Sequence, residues 1–161
     1  MTLAPRTELP VVGDVGFAGQ DEVDVVQKGR NYGWPCFEGN TRGPGAFPDT
    51  AACRALYLRG PKATESPLIA YDHDNSASIT GGAFYDGTRY PQEFRGVYFY
   101  ADFAYGWLRY AKLDEEGALL GAPADFATDL PGPVAMHVGP DGRLYYLSLP
   151  TGELRRLDVE D

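Results

Sequence analysis

Short runs that alternate apolar and polar residues recur along the chain and end at glycine, proline or aspartate. The clearest are EVDVVQKG from Glu22, GVYFYADF from Gly96 and WLRYAKLDEEG from Trp107. An alternation with a period of two predicts half-buried strands. In VAMHVGPDGRLYYLSL a Pro-Asp-Gly turn separates two such runs, which predicts a hairpin, and GELRRLDVED predicts a last strand.

No amphipathic helix of three turns is predicted, because Gly or Pro interrupts every candidate segment. The sequence therefore predicts an all-β fold in one domain over residues 1–161. Segments that begin near Leu9, Leu68 and Asp125 each supply a few strands and repeat at about fifty residues. Repeats of that length with four short strands each are typical of β-propeller blades, and the chain has room for about three blades.

Composition supports the all-β prediction and argues against two classes of binding partner. Of the 161 residues, 43% are hydrophobic and 13% aromatic, and 20 Gly and 13 Pro favour many short strands and turns. The net charge of −9 argues against nucleic acid or an anionic membrane as a partner. No run approaches the ~20 apolar residues that cross a bilayer. The N-terminus MTLAPRTELP has no apolar core of a signal peptide, so none is expected in this sequence.

Cys36 and Cys53 are the only cysteines, and neither lies in a pattern that could complete a structural zinc site. They form either a disulfide or two buried thiols. The Gly- and Pro-rich segment between them has little apolar content to order it, which favours the disulfide. Closing a loop of that length stabilises a fold by about 3 kcal/mol in the chain-entropy model. A disulfide predicts an oxidising compartment, either periplasmic or extracellular.

Several longer motifs carry a family resemblance. GDVGFAGQDEVDVVQKGRNYGWPCFEG, SITGGAFYDGTRYP, GVYFYADFAYGWLRYAKLD and GPDGRLYYLS occur in order over nearly the whole chain. This combination resembles the C-terminal half of the glucose/sorbosone dehydrogenase family, whose members are six-bladed β-propellers that oxidise sugars or aldoses. The pairing of Cys36 with Cys53 resembles a secreted branch of that family. Trp34, in the strand-and-turn segment NYGWP, is expected to pack between blades.

The resemblance also implies where a cofactor would bind. In the family members that use pyrroloquinoline quinone (PQQ), the catalytic His lies in N-terminal blades outside this chain. The Lys anchor of the quinone falls at Ala104, and the Arg-x-Arg anchor falls at Gly132 and Val134, none of which can pair with a carboxylate. The chain alone is therefore expected to be inactive.

At three further positions the resemblance implies a calcium or cofactor contact that the residue present can make. The resemblance places the backbone carbonyls of Gly16 and Phe17 at a calcium ion. It places Tyr71 beside the cofactor as an aromatic contact. Any residue offers a carbonyl and this chain is rich in tyrosine, so these three positions predict a Ca²⁺ and cofactor site only through the resemblance.

Other polar residues have two interpretations. His73, flanked by Asp72 and Asp74, is either a proton-transfer or cation-site residue or part of a solvated loop, and the loop is favoured. His137 is expected to be a surface imidazole on a strand. Asp102, after the run VYFYADF, either faces a central channel or caps a turn at the end of a strand.

Two functional classes remain. The first is the C-terminal part of a sugar dehydrogenase-like propeller, and the second is a non-catalytic extracellular propeller that binds carbohydrate or a protein partner. Three blades alone leave two faces uncovered, and aromatics such as Tyr98, Phe99, Tyr100 and Trp107 are the kind of residue expected there. The sequence therefore predicts a homodimer or association with a missing N-terminal half, which would close the ring.

Overall fold

The computed structural model describes residues 1–72 and 76–159, and these residues form an all-β fold with one short helix, α1 (Ala51–Leu58). The predicted fold class is confirmed. In the described residues the strands are β1 (Thr2–Leu3), β2 (Pro10–Asp14), β3 (Gln20–Val25), β4 (Phe37–Glu38), β5 (Thr41–Arg42), β6 (Ile69–Asp72), β7 (Ile79–Phe84), β8 (Tyr98–Asp102), β9 (Leu108–Ala111), β10 (Ala124–Ala127), β11 (Pro133–Val138), β12 (Leu144–Ser148) and β13 (Glu153–Arg156).

Three antiparallel sheets follow one another along the chain, and we call them blades. The first blade has the strand order β1-β2-β3-β6, the second β7-β8-β9-β10 and the third β11-β12-β13. Strands β4 and β5 form a separate small hairpin. The third blade thus has one strand fewer than the other two among the described residues, and β13 is its edge strand. The architecture is that of a partial β-propeller.

The predicted starts of the second and third blades lie one strand too early in the sequence. The segments predicted to begin near Leu68 and Asp125 start with β6 and β10, and these strands complete the first and second blades. The second and third blades begin at Ile79 and Pro133 instead. The physical reason is that the last strand of a blade pairs with the strand before it, a long-range choice that local alternation does not reveal.

The central blade is buried on both faces. On β8, Tyr98 and Tyr100 pack towards the first blade, whereas Phe99 and Ala101 pack towards the third. Trp107 joins the first of these two clusters. All four aromatic residues of the kind expected on an uncovered face are therefore buried between blades. That expectation was wrong because the four residues belong to the central blade.

The uncovered face of the third blade carries leucines. Leu147 on β12 lies opposite Leu154 on β13, and both side chains are exposed. The other face of this blade, with Leu144 and Tyr146, is buried against the second blade. No helix among the described residues is long and apolar enough to span a membrane.

Residues 26–68 leave the first blade between β3 and β6, and we call them the excursion. The excursion carries the β4–β5 hairpin, helix α1 and a disulfide between Cys36 and Cys53. The predicted disulfide is thus present, and the alternative of two buried thiols is wrong. Cys36, Cys53 and Leu56 form a small core of their own, so the disulfide takes the place of a larger hydrophobic core.

Two local features of the excursion differ from expectation. Helix α1 was not predicted, because it has only eight residues and its apolar side is defined by the disulfide core. It begins after Thr50, whose Oγ1 accepts a hydrogen bond from the Cys53 N–H. Trp34 does not pack between blades: its exposed fraction is 54%, and its ring meets Phe47 edge-on.

Candidate functional site

The β2–β3 loop, residues 15–19, is held by hydrogen bonds from its backbone N–H groups to two buried carboxylates. The Gly16 N–H donates to Asp21 Oδ1 at 2.8 Å. The next three N–H groups donate to Glu38 of the excursion: Phe17 at 2.6 Å, Ala18 at 3.3 Å and Gly19 at 2.5 Å. Glu38 is only 3% exposed. The loop is therefore pinned to both the first blade and the excursion.

This arrangement fixes the direction of the two carbonyls that the resemblance assigns to calcium. In a trans peptide the C=O points opposite to the N–H of the following residue. Because the Phe17 and Ala18 N–H groups point at Glu38, the carbonyls of Gly16 and Phe17 point away from it. The proposed calcium ligands thus face away from the carboxylate that holds the loop, and both residues line a pocket.

Three carboxylates lie beside this loop. Asp14 on β2 pairs across the sheet with Glu22 on β3, and Asp24 is two residues further along the same strand and so on the same face. One carboxylate oxygen from each of the three lies within 4.8 Å of the other two. Glu22 is 6% exposed and Asp24 is 4% exposed. Glu22 Oε2 and Asp24 Oδ1 are buried and have no hydrogen-bond partner among the described residues.

The pKa values of the three carboxyl groups are all raised. Burial, and next the negative charge of Asp24, raises the pKa of Glu22 to about 7. Burial, followed by the charge of Asp14, raises the pKa of Asp24 to about 6. Burial and the charges of Asp21 and Glu38 raise the pKa of Asp14. Above about pH 7 the cluster therefore carries negative charge whose burial and mutual repulsion are unfavourable.

The pocket at this site has a volume of about 320 Å³ and combines acidic and aromatic lining residues. The exposed rings of Phe17 and Trp34, 71% and 54% exposed, lie at the pocket, and Phe37 also lines it. Carboxylate and carbonyl oxygens are the ligands that Ca²⁺ takes in proteins, whereas aromatic rings offer stacking surface. The lining residues are Asp14, Val15, Gly16, Phe17, Gln20, Glu22, Trp34, Phe37 and Glu38.

Tyr71 does not line this pocket. Its hydroxyl lies 2.7 Å from Asp102 Oδ2 and 3.2 Å from Asp21 Oδ2, and so links the first and second blades. Burial and these two carboxylates raise the pKa of Tyr71 well above its usual value. Its ring meets Trp107 edge-on. The structure shows a blade-linking role for Tyr71, and contact with a cofactor stays a prediction.

Asp102 caps a turn at the end of β8, which confirms one of the two interpretations that the sequence allowed. The carboxylate is fully buried, and Oδ1 accepts hydrogen bonds from the N–H groups of Ala104 and Tyr105, both at 2.7 Å. Oδ2 accepts the Ser78 N–H at 2.9 Å. The two oxygens are thus occupied by the turn after β8 and by the entry to β7.

The positions of the family's quinone anchors do not suit a quinone. Ala104 lies exposed in the turn after β8, and Val134 lies exposed on β11. Gly132 is buried with a positive φ of 46°, and a Cβ there would lie 2.6 Å from Pro150 Cδ and 2.8 Å from Phe103 Cε2. An arginine therefore has no room at this position. None of these three positions offers a cation to a carboxylate of the quinone.

The remaining sequence candidates are His73 with its neighbours Asp72 and Asp74, and His137. His73 and Asp74 lie outside the described residues. Asp72 is exposed and accepts a hydrogen bond from Gln20 Nε2 at 3.0 Å. His137 is exposed on β11 opposite Tyr145, which confirms the surface imidazole.

Sequence reasoning missed the carboxylate cluster and Glu38. A signal for the cluster was present, because Glu22 and Asp24 alternate with Val23 and Val25, so that both acids share one face of β3. A half-buried strand predicts that this polar face is solvated. In the structure Glu22 and Asp24 are buried, and strand β4 of the excursion, which carries Glu38, packs against β3.

Comparison with known proteins agrees with the fold and with the sequence motifs. The family model described as glucose/sorbosone dehydrogenase matches residues 1–156. The aldose sugar dehydrogenase YliI of Escherichia coli strain K12 is 27% identical over 98% of this chain and 40% of its own length. A crystal structure of a glucose dehydrogenase aligns with a TM-score of 0.72 and 27% identity, covering 98% of this chain and 43% of that one.

A third relative was solved with a cofactor. The PQQ-bound form of an aldose sugar dehydrogenase from Streptomyces coelicolor aligns with a TM-score of 0.66 at 19% identity, over 96% of this chain and 40% of that one. At that identity the likeness shows the fold alone. The chain spans about 40% of the length of each of these three relatives. It belongs to the glucose/sorbosone dehydrogenase family.

Proposed function

We propose that the chain contributes three blades to a sugar-oxidising propeller and that its own part is to hold a hard divalent cation such as Ca²⁺. The observation that carries this proposal is the cluster of Asp14, Glu22 and Asp24, with two buried carboxylate oxygens that lack partners. Buried carboxylates without a partner are costly, and a hard cation would supply the missing interactions.

The residues that would hold this cation are the three carboxylates. The carbonyls of Gly16 and Phe17 stay the calcium ligands that the family resemblance predicts, and they point away from Glu38. A divalent cation at such a site stabilises negative charge on an oxygen of a bound molecule. The ionisation of the chain's own carboxyl groups sets the pH range in which the cation binds. Because the pKa values of Glu22 and Asp24 are raised to about 7 and about 6, protons compete with the cation in mildly acidic solution.

We further propose that this chain by itself neither anchors PQQ nor oxidises sugars. The support is the absence of a cation at Ala104, Gly132 and Val134, together with the lack of room at Gly132. A quinone titration followed by absorbance, and then a dye-linked assay with Ca²⁺ and several aldoses, tests this. We expect no saturable spectral shift at micromolar quinone and no turnover, with the E. coli aldose sugar dehydrogenase as the positive control. A saturable shift would refute the proposal.

A second candidate function is a non-catalytic extracellular module that binds carbohydrate or a protein partner. The observation that favours it is the pair of exposed rings, Phe17 and Trp34, beside carboxylates that can accept hydroxyl hydrogen bonds. Aromatic rings bury much surface with few rotatable bonds, which suits sugar stacking. A glycan array on the wild type and on Trp34→Ala distinguishes the two functions. A glycan bound by the wild type and lost in the variant, without any oxidation, would favour the module.

The proposed partners and compartment follow from the fold. The uncovered face and edge of the third blade expose Leu147 and Leu154, which favours either a homodimer or a missing N-terminal half as the covering partner. The disulfide between Cys36 and Cys53 favours the periplasm or the extracellular medium over the cytoplasm.

A further inference from the structure

We propose that strand β13 is an interaction surface for a second copy of this chain, and that two β13 strands pair antiparallel into one continuous sheet. This inference names the second copy as the partner that covers the edge of the third blade, and it is independent of the cation site. Strand β13 pairs with β12 on one side and with no strand of the described residues on the other. An unpaired strand edge is a template for pairing with another chain.

The open edge of β13 carries free backbone groups. The Leu157 N–H donates to the Leu144 carbonyl of β12 at 2.9 Å. The backbone groups of successive residues in an antiparallel strand point to opposite sides, so those of Arg155 also point towards β12, whereas those of Leu154 and Arg156 point towards the open edge. Among the described residues no hydrogen bond from outside the β12–β13 pair uses these groups. Leu154 therefore offers one donor and one acceptor to an incoming strand.

The side chains of β13 select one register for self-pairing. Directly opposite residues of two paired strands point to the same face of the sheet, and Leu154 points to the face opposite from Glu153 and Arg155. When Leu154 lies opposite Leu154 of the second copy, Glu153 of each copy lies opposite Arg155 of the other. The neighbouring registers that keep the faces matched place Glu153 opposite Glu153, or Arg155 opposite Arg155, and like charges in these positions repel.

Charge and apolar surface both favour a second copy over an arbitrary strand. Charged side chains on an edge strand oppose pairing with an unrelated strand. Glu153 and Arg155 form an ion pair within the chain, with 2.7 Å between Arg155 Nη2 and Glu153 Oε2, and both are partly exposed. In the pair of copies these residues form a square of four alternating charges. On the other face the exposed Leu154 and its neighbour Leu147 join their counterparts as a row of four leucines.

Sedimentation velocity of the full 161-residue chain across the micromolar range tests the proposal. We expect the wild type to form a dimer of twice 17.6 kDa and nothing larger, because the two-fold pairing leaves no free β13 edge. Leu154→Pro removes the N–H donor that faces the second copy and no donor to β12, so the blade can keep its own pairing. We expect the dissociation constant of the dimer to rise at least about tenfold in this variant.

A charge swap tests the register. Arg155→Glu places two acids opposite each other at two symmetric positions, so we expect the dissociation constant to rise about tenfold. Glu153→Arg combined with Arg155→Glu restores opposite charges across the pair, and dimerisation should return to the wild-type strength. Arg6→Glu is the matched control, because it makes the same change in net charge and breaks an exposed ion pair with Glu115. It should leave the dimer unchanged.

Oxidative cross-linking locates the contact. Opposite residues of a hydrogen-bonded antiparallel pair have Cα atoms about 5.5 Å apart, which is within the range of a disulfide. Oxidation of Leu154→Cys should therefore give a covalent dimer on a non-reducing gel. Leu147→Cys should not, because Leu147 lies three strand spacings from its counterpart.

Several results would overturn the proposal. They are a wild type that stays monomeric, a ladder of larger assemblies, a dimer that Leu154→Pro and Arg155→Glu leave unchanged, and a charge swap that does not restore the dimer. A monomeric wild type would leave a different chain as the covering partner. None of these results bears on the cation site, which fails separately if the wild type binds no Ca²⁺.

Discussion

Removal of the disulfide by Cys36→Ala with Cys53→Ala should destabilise the chain by an amount that the loop length sets. The two cysteines are 17 residues apart. In the chain-entropy model a loop of this size restricts the unfolded chain by about 10.5 cal/mol/K, which is about 3 kcal/mol at 25 °C. For a chain of 161 residues the unfolding entropy is about 340 cal/mol/K, so the melting temperature should fall by about 9 °C.

The assay is thermal unfolding followed by circular dichroism, with thiol titration of the native and denatured wild type beside it. The thiol titration should find no free thiol in the unreduced protein. The excursion has few other apolar contacts, since its core consists of Cys36, Cys53 and Leu56 with three half-buried neighbours. The loss should therefore not be recovered by repacking. A fall of less than about 2 °C, or two reactive thiols in the unreduced wild type, would refute the reasoning and would remove the argument for an oxidising compartment.

Three further predictions concern charge, the blade interface and assembly. The pKa values of Glu22 and Asp24 are raised in the folded chain from 4.5 to about 7 and from 3.8 to about 6, so the folded chain binds more protons than the unfolded one over that range. The stability of the metal-free chain should then fall as the pH rises from about 4 to 7, and urea titrations that show a rise would contradict this. Tyr98→Phe should leave the urea midpoint unchanged or higher, because the buried hydroxyl has no partner among the described residues; a loss above about 1 kcal/mol would reveal one. Light scattering at low micromolar concentration should show a species larger than 17.6 kDa, and a monodisperse monomer with cooperative unfolding would disprove the need for a covering partner.

The alternating runs predicted most of the fold because each strand of a blade is short and bounded by turn residues. EVDVVQKG became β3, GVYFYADF became β8, and the Pro-Asp-Gly segment joined β11 to β12 as a hairpin. The boundaries of the blades were not predictable in the same way. Pairing of β6 with β3 spans the whole excursion, so nothing local to β6 assigns it to the first blade.

The candidate site was predicted only in part. The motifs identified Gly16 and Phe17, but a backbone carbonyl has no sequence signature, and only the hydrogen bonds to Glu38 reveal its direction. The alternation along β3 predicts a solvated acidic face, because the sequence does not show which residues cover a strand. Glu38 lies 16 residues beyond Glu22 on a separate hairpin, and its role depends on a fold of the excursion that the disulfide creates.

The most direct test of the account is isothermal titration of the metal-free chain with Ca²⁺ at pH 7.5, repeated with Glu22→Gln/Asp24→Asn and with the control Glu115→Gln. We predict one saturable Ca²⁺ site in the wild type and in the control, and loss of binding in the double variant. At about one hundred times the dissociation constant, Ca²⁺ should stabilise the wild type by about 2.7 kcal/mol, which is a rise of about 8 °C in the melting temperature. Absence of binding by the wild type up to millimolar Ca²⁺, or equal binding by the double variant, would contradict the assignment of the cation to these carboxylates.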